Sequence, residues 1–311
     1  MNSFFLFFSD DLVDKYGENL QDYAIIFNNK RPANYLHKHL ADRIQKPFWS
    51  PAIFTIQEFF ALSTTLKIAD FYTQFFILHR LYNEILAFEK AGHIDMDKFF
   101  PIAKTILADF SQIDMDNVDP DRLFSELEDI ALINQQFDFL TEEQHAFLTQ
   151  FWVSYTEGKH KQQQENFIRM WRRMPQLYAR FHGELKAKGF VTIAQAYKQL
   201  AQQTASASAF TETYKKLIFV GFNALSQTEA LIFKQWQSTD KARFYFDSDS
   251  YYLADPLHEA GLFLRKNIDQ YKLINELDNK RSFLKDRQAE VQVYKVQGNS
   301  TQAKILNEVL D

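Results

Sequence analysis

The chain has 311 residues, 46% hydrophobic and 24% charged, with 32 Phe against only 8 Gly and 7 Pro; this excludes wholesale disorder and predicts long helices around Phe-rich cores, in roughly two domains by length. Cysteine is absent, which excludes disulfides, thiolate zinc sites and a Cys nucleophile within these residues, and fits a reducing compartment. The net charge of −5 gives no bulk signal for nucleic acid or an anionic membrane.

The opening Met1-Asn2-Ser3-Phe4-Phe5-Leu6-Phe7-Phe8 has no base ahead of it, and Asp10-Asp11 ends the apolar run. It fits neither a signal peptide nor a membrane span, so the expectation is a soluble, cytoplasmic protein with no membrane partner. Residues 3–17 carry Phe4, Phe5, Phe8, Leu12 and Tyr16 at helical spacing, with Gly17 to close the helix. Tyr23-Ala24-Ile25-Ile26-Phe27 is a continuous apolar run between polar residues, the pattern of a buried parallel strand. A helix over residues 32–44 follows with Pro32 in its first turn, then a second short strand at Ile53-Phe54-Thr55-Ile56. This is β-α-β grammar.

Residues 57–213 read as helix after helix without strand-like runs. Stripes at helical period cover residues 71–86, 99–110, 123–139, 143–155, 164–188 and 192–203, and residues 204–208 (Thr-Ala-Ser-Ala-Ser) read as a linker. The strand signal returns at Leu217-Ile218-Phe219-Val220, followed by Gly221-Phe222-Asn223 and a capping box at Ser226 and Glu229. Another strand is predicted at residues 242–247, a helix at 258–271, an alternating strand at 290–296, and a helix opening at Gly298-Asn299-Ser300. The last pair looks like the start of a further domain, and so of a longer protein.

An α/β layer interrupted by helices is the plan of helicase motor domains, so a triphosphate site is the first chemistry to seek. A P-loop needs Gly-x-x-x-x-Gly-Lys-Ser/Thr, whose backbone N–H groups wrap the phosphates. The one Gly-Lys pair, Gly158-Lys159, has His160 after it and Val153 where the first Gly should stand. No carboxylate pair ends the strand at 217–220. No catalytic motif, nucleophile elbow or cofactor signature is therefore assigned. Metal readings fare no better: the acidic run from Asp114 to Asp121 lacks the Gly and the closing Glu of a calcium loop and suits a helix start. His37 and His39 point to different helix faces, and Asp247-Ser248-Asp249 reads as turn chemistry before it reads as a Mg²⁺ site.

Charge segregation carries more. Residues 107–143 hold eleven acids and one base, whereas residues 159–188 hold eight bases and two acids. Within the basic stretch Lys159, Lys161, Arg169, Trp171, Arg172 and Arg173 combine cations with an aromatic, as a phosphate backbone and stacked bases require. The alternative is that the basic and acidic stretches pack together and neutralise each other. Lys30 and Arg31, just past the first strand, form a second candidate phosphate contact.

The segments Ala24-Ile25-Ile26-Phe27-Asn28-Asn29-Lys30-Arg31-Pro32-Ala33 and Trp49-Ser50-Pro51-Ala52-Ile53-Phe54-Thr55-Ile56-Gln57-Glu58-Phe59-Phe60 resemble the start of bacterial AddB-like proteins. These are helicase-like nuclease subunits of AddAB/RecBCD-type double-strand-break repair, in particular the long PD-(D/E)XK nuclease family proteins of the Bacteroidetes type. Residues 217–229 look like that family's degenerate Walker B region, residues 244–252 like its next helicase motif, and residues 293–304 like the opening of a second RecA-like domain. The resemblance implies a RecA-like, superfamily-1-type parallel sheet lacking a P-loop. Residues 1–60 and 214–285 would build it, residues 61–213 would be an inserted all-helical domain, and residues 286–311 would begin a second RecA-like domain. It implies a nuclease domain outside these residues, DNA (single-stranded or a duplex end) as ligand, and an AddA/RecB-like motor subunit as partner. The other expectation is a protein–protein scaffold that docks a helicase partner without touching DNA.

Overall fold

In the computed structural model of the chain, residues 3–124, 161–203, 208–280, 282, 284 and 293–310 are described. The elements run α1 (Ser3–Tyr16), β1 (Tyr23–Phe27), α2 (Arg31–Ile44), β2 (Ala52–Thr55), α3 (Ile56–Leu62), β3 (Lys67–Ile68), α4 (Phe71–Phe88), α5 (Met96–Met115) and α6 (Lys161–Ala187). They continue as β4 (Phe190–Val191), α7 (Ile193–Gln202), α8 (Ala209–Glu212), β5 (Lys216–Val220), α9 (Gln227–Ser238), β6 (Ala242–Tyr245), α10 (Ser250–Leu253), α11 (Leu262–Arg265) and α12 (Asn299–Leu310).

Four strands form an all-parallel sheet in the order β2-β1-β5-β6. Pleating sends alternate residues to opposite faces. Ile25, Phe27, Ile218, Val220 and Tyr245 meet α1 and α2 on one face, and Ala24, Ile26, Leu217, Phe219 and Phe244 meet α3, α7 and α9 on the other. Both faces are covered, which is why β1 and β5 read as unbroken apolar runs rather than as alternation. The β1-α2-β2 crossover lies on one face and β5-α9-β6 on the other, so the sheet is doubly wound with its switch point between β1 and β5.

The abundant Phe residues pack as ring clusters. Phe219 lies 4.3 Å from Phe233 and 5.5 Å from Phe244, and Phe60 stacks on Tyr197 at 3.8 Å. Ser226 and Glu229 form the predicted capping box on α9, and Thr55 with Glu58 forms a second one on α3 that the sequence reading did not assign. Gly17 closes α1 at φ 77°, its N–H donating to Val13 O at 2.8 Å.

A second hydrophobic cluster joins α4, α5 and α6 through Leu78, Leu81, Ile85, Phe99, Ile106, Phe110, Leu177 and Phe181. The structure departs from the sequence reading at several points. A two-stranded parallel pair, β3 with β4, stands where residues 57–213 were expected to hold no strand. Two-residue strands are too short to show a period. Helix α7, expected among the helical residues, packs Tyr197, Leu200 and Ala201 into the sheet's cluster.

The helix expected over 258–271 is present as an unbroken helical run over residues 259–270, but its hydrogen bonding changes along it from a 3₁₀ turn at Glu259–Gly261 through α11 to a π turn at Lys266–Gln270. Arg265 donates to the carbonyls of Tyr252, Asp255, Pro256 and His258 and pins the chain there. Of the strand expected over 290–296, residues 293–296 form none and the others lie outside the described residues, as do the helical stripe at 143–155 and most of that at 123–139. No helix among the described residues is long and apolar enough to cross a membrane.

Candidate nucleic-acid interface

In doubly wound sheets, ligands bind outside the carboxyl ends of the strands. Here β1 ends in Asn28-Asn29-Lys30-Arg31, and α2 begins at Arg31 with Pro32 in its first turn. Strand β2 runs directly into α3 through the capping residue Thr55. Between α2 and α3 lies an open groove of about 710 Å³, a size typical of ligand clefts. One wall is the helical face of Lys30, Ala33, Asn34 and His37 with Asn29 beside it; the floor is Ile53, Phe54 and Thr55. The other wall is Glu58, Ala61 and Leu62. The groove opens beside β1 and β2, one strand away from the switch point itself.

Across this groove the Lys30 ammonium meets Glu58 Oε1 at 2.6 Å. Glu58 Oε2 also accepts from the Thr55 N–H and the Thr55 hydroxyl, each at 3.0 Å. Lys30 first, then the Thr55 backbone and hydroxyl, hold the Glu58 carboxyl down to about 2, so it is ionised at any ordinary pH. Arg31 is exposed, and its backbone N–H donates to Asn29 Oδ1 at 3.1 Å. His37 Nε2 lies 3.3 Å from the Ser50 hydroxyl, while His39 is buried, so the two histidines do occupy different faces. Next to Ser50 in the chain, Trp49 is 69% exposed, and Tyr35 is 58% exposed on α2.

Of the basic stretch, Lys159 lies outside the described residues, and Lys161 is placed only as the first residue of α6. Arg169 and Arg172 are exposed on α6. Trp171 is half-buried and meets the Phe124 ring edge-on at 5.4 Å. Arg173 does not face solvent: its side chain is 11% exposed, bonded to Glu89 at 2.6 Å and to the Tyr82 hydroxyl at 3.1 Å. Burial and these partners make it a clamp between α6 and α4, which corrects its expected place on a phosphate-binding face. Arg180 pairs with Glu84, and Lys188 with Glu184. Among the described residues, Arg173, Arg180 and Lys188 are thus neutralised by acids at the end of α4, in α4 and in α6 itself. Helix α2 belongs to the cluster of α1 and the sheet, and α6 to that of α4 and α5.

The remaining polar candidates are structural. Asp114 is fully buried in α5, where Tyr178 donates to it, Lys198 approaches at 3.4 Å and His182 at 3.3 Å. Asp119 accepts from the N–H groups of Asp121 and Arg122, as a helix cap does. Asp249 accepts from the N–H groups of Tyr251 and Leu284, which is turn chemistry. At the end of β5, where a nucleotide site would place carboxylates, Phe222 is buried against Phe219 and Phe233. No group of three or more metal-ligating side chains is found among the described residues.

Sequence reasoning singled out Lys30 and Arg31 but missed Asn29, Asn34 and His37, which line the groove with Lys30. The i, i+4, i+7 spacing of Lys30, Asn34 and His37 was a signal that one helix face carries them. The chain matches no protein-family model and no curated protein.

Proposed function

We propose that this chain is a helicase-like, non-catalytic DNA-holding part of an AddB-type double-strand-break repair nuclease, with the nuclease centre elsewhere in a longer protein. In that reading the doubly wound layer is a RecA-like domain without a P-loop, and α4, α5 and α6 belong to an inserted helical domain. It needs no nucleotide or metal, and it expects a cytoplasmic protein working beside an AddA/RecB-like motor subunit.

The observation that carries the reading is the groove at the carboxyl edge of β1 and β2, which Lys30 lines, together with the exposed Arg31, Tyr35 and Trp49 in the chain segments that adjoin it. Cations with aromatic platforms suit a single strand, since phosphates meet the cations and every base offers a ring face. Without a phosphate cradle, binding rests on contact alone and weakens steeply with salt. Fluorescence anisotropy with labelled single-stranded and tailed duplex DNA, at 50 and 200 mM salt, tests it. Salt-sensitive binding weakened in Lys30→Ala/Arg31→Ala supports the reading; no binding at 50 mM salt refutes it.

A scaffold without DNA contact is favoured by a different feature. Tyr72, Phe76, Met96 and Phe100 present an exposed apolar surface on α4 and α5, of the kind that marks protein contacts. Absence of DNA binding together with intact folding supports this second reading.

A further inference from the structure

We propose that Glu58 is a built-in competitor for Lys30, so that a DNA phosphate enters the groove only by taking the lysine from this carboxylate. The inference rests on the DNA-holding reading above and adds how that site is regulated. Three observations carry it. The pair spans the groove, joining the start of α2 to α3 at 2.6 Å. Glu58 is fixed by Thr55 through the α3 capping box, whereas the Lys30 side chain is 78% exposed. The mobile arm is therefore the lysine.

The Lys30 ammonium has three donors but one positive charge, and a carboxylate in contact cancels most of its field toward an incoming phosphate. Exposed ion pairs are weak and screened by salt, so the lysine can be drawn away by a stronger anion. The groove is thus closed to weak anions and open to a polyanion, whose neighbouring phosphates are held by Arg31 while Lys30 changes partner.

Glu58→Gln tests this cleanly, because Gln at the third helical position preserves a capping box and the shape of the wall. At 50 mM salt, Glu58→Gln is expected to tighten the binding of a labelled single strand by about two- to fivefold, the equivalent of one exposed ion pair. The gain should disappear in a Lys30→Ala background. Asp22→Asn is the matched control: it frees Lys215, paired at 2.7 Å, at the amino ends of the central strands β1 and β5, with the same change in net charge. Circular dichroism establishes that each variant is folded.

Wild-type binding weakened by Lys30→Ala, but unchanged in Glu58→Gln, overturns the competition and leaves the DNA reading standing. An equal gain in Asp22→Asn, or a gain that persists without Lys30, also overturns it. No wild-type binding at low salt, or no effect of Lys30→Ala, removes the DNA reading from this groove and the competition with it.

Discussion

Asp114 and Lys198 face each other at 3.4 Å, the carboxylate with no exposure and the lysine side chain at 8%. They come from α5 and α7, which belong to different hydrophobic clusters. The same carboxylate receives the Tyr178 hydroxyl from α6, and the Gln195 amide, with its nitrogen assigned to the side facing Asp114, donates to both oxygens. Thr228 of α9 donates to the Asp114 carbonyl at 2.8 Å, and Lys198 donates to Val118 O at 3.0 Å. One buried network thus ties the sheet's layer to the helical cluster. Burial pushes the Asp114 carboxyl up, and Tyr178 and Lys198 oppose that push.

Removing one member of such a pair strands the other charge in the interior. Asp114→Ala is expected to cost about 3–5 kcal/mol in urea unfolding, the range for a broken buried pair. The double variant Asp114→Ala/Lys198→Met should lose less than the sum of the two single losses, because no uncompensated charge remains. Strict additivity would show that the pair is not coupled.

His182 gives the network a pH dependence. Burial first, and the Lys198 charge second, push its imidazole down to about 4. Between about pH 6.5 and 4 the unfolded chain takes up a proton that the folded one refuses, so stability falls as pH falls through this window. The loss attributable to His182 reaches about 3 kcal/mol at the acid end. Asp114 acts in the opposite sense, because its raised pKa favours the folded state as acid increases. Urea midpoints at pH 7 and pH 4.5 should therefore differ less in His182→Gln than in the unaltered chain.

The basic helix separates into two kinds of arginine. Arg173→Ala is expected to cost about 2 kcal/mol through its charge-assisted bonds to Glu89 and Tyr82, without an effect on DNA affinity beyond that of lost stability. The exposed pair Arg169→Ala/Arg172→Ala should change stability by no more than about 1 kcal/mol for each arginine, the range for exposed ion pairs. If α6 adds to the DNA surface, that variant lowers the slope of log affinity against log salt by about one to two. Thermal unfolding and salt titrations together distinguish the two.

Much of the α/β layer was legible because a strand buried on both faces leaves an apolar run that little else produces, as Tyr23–Phe27 and Lys216–Val220 illustrate. The capping box at Ser226 and Glu229 is equally local and equally readable. What escaped is non-local. Arg173 turns inward because Tyr82 and Glu89 wait for it 91 and 84 residues earlier. The groove needs α2 and α3 side by side, and a charge count along the chain cannot show that Lys30 is already held by Glu58. Helix α7 reads as one more amphipathic helix, and only its packing assigns Tyr197 and Leu200 to the sheet.

Photocrosslinking tests the central claim most directly, because it asks where a strand lies and not merely whether one binds. A single-stranded oligonucleotide carrying bromodeoxyuridine is irradiated with the intact chain at low salt, and the adducts are mapped by mass spectrometry. The account predicts adducts on Tyr35, His37 or Trp49, lost on adding excess unlabelled strand and weakened in Lys30→Ala/Arg31→Ala. Adducts confined to the α4 and α5 surface, or none anywhere, would contradict it.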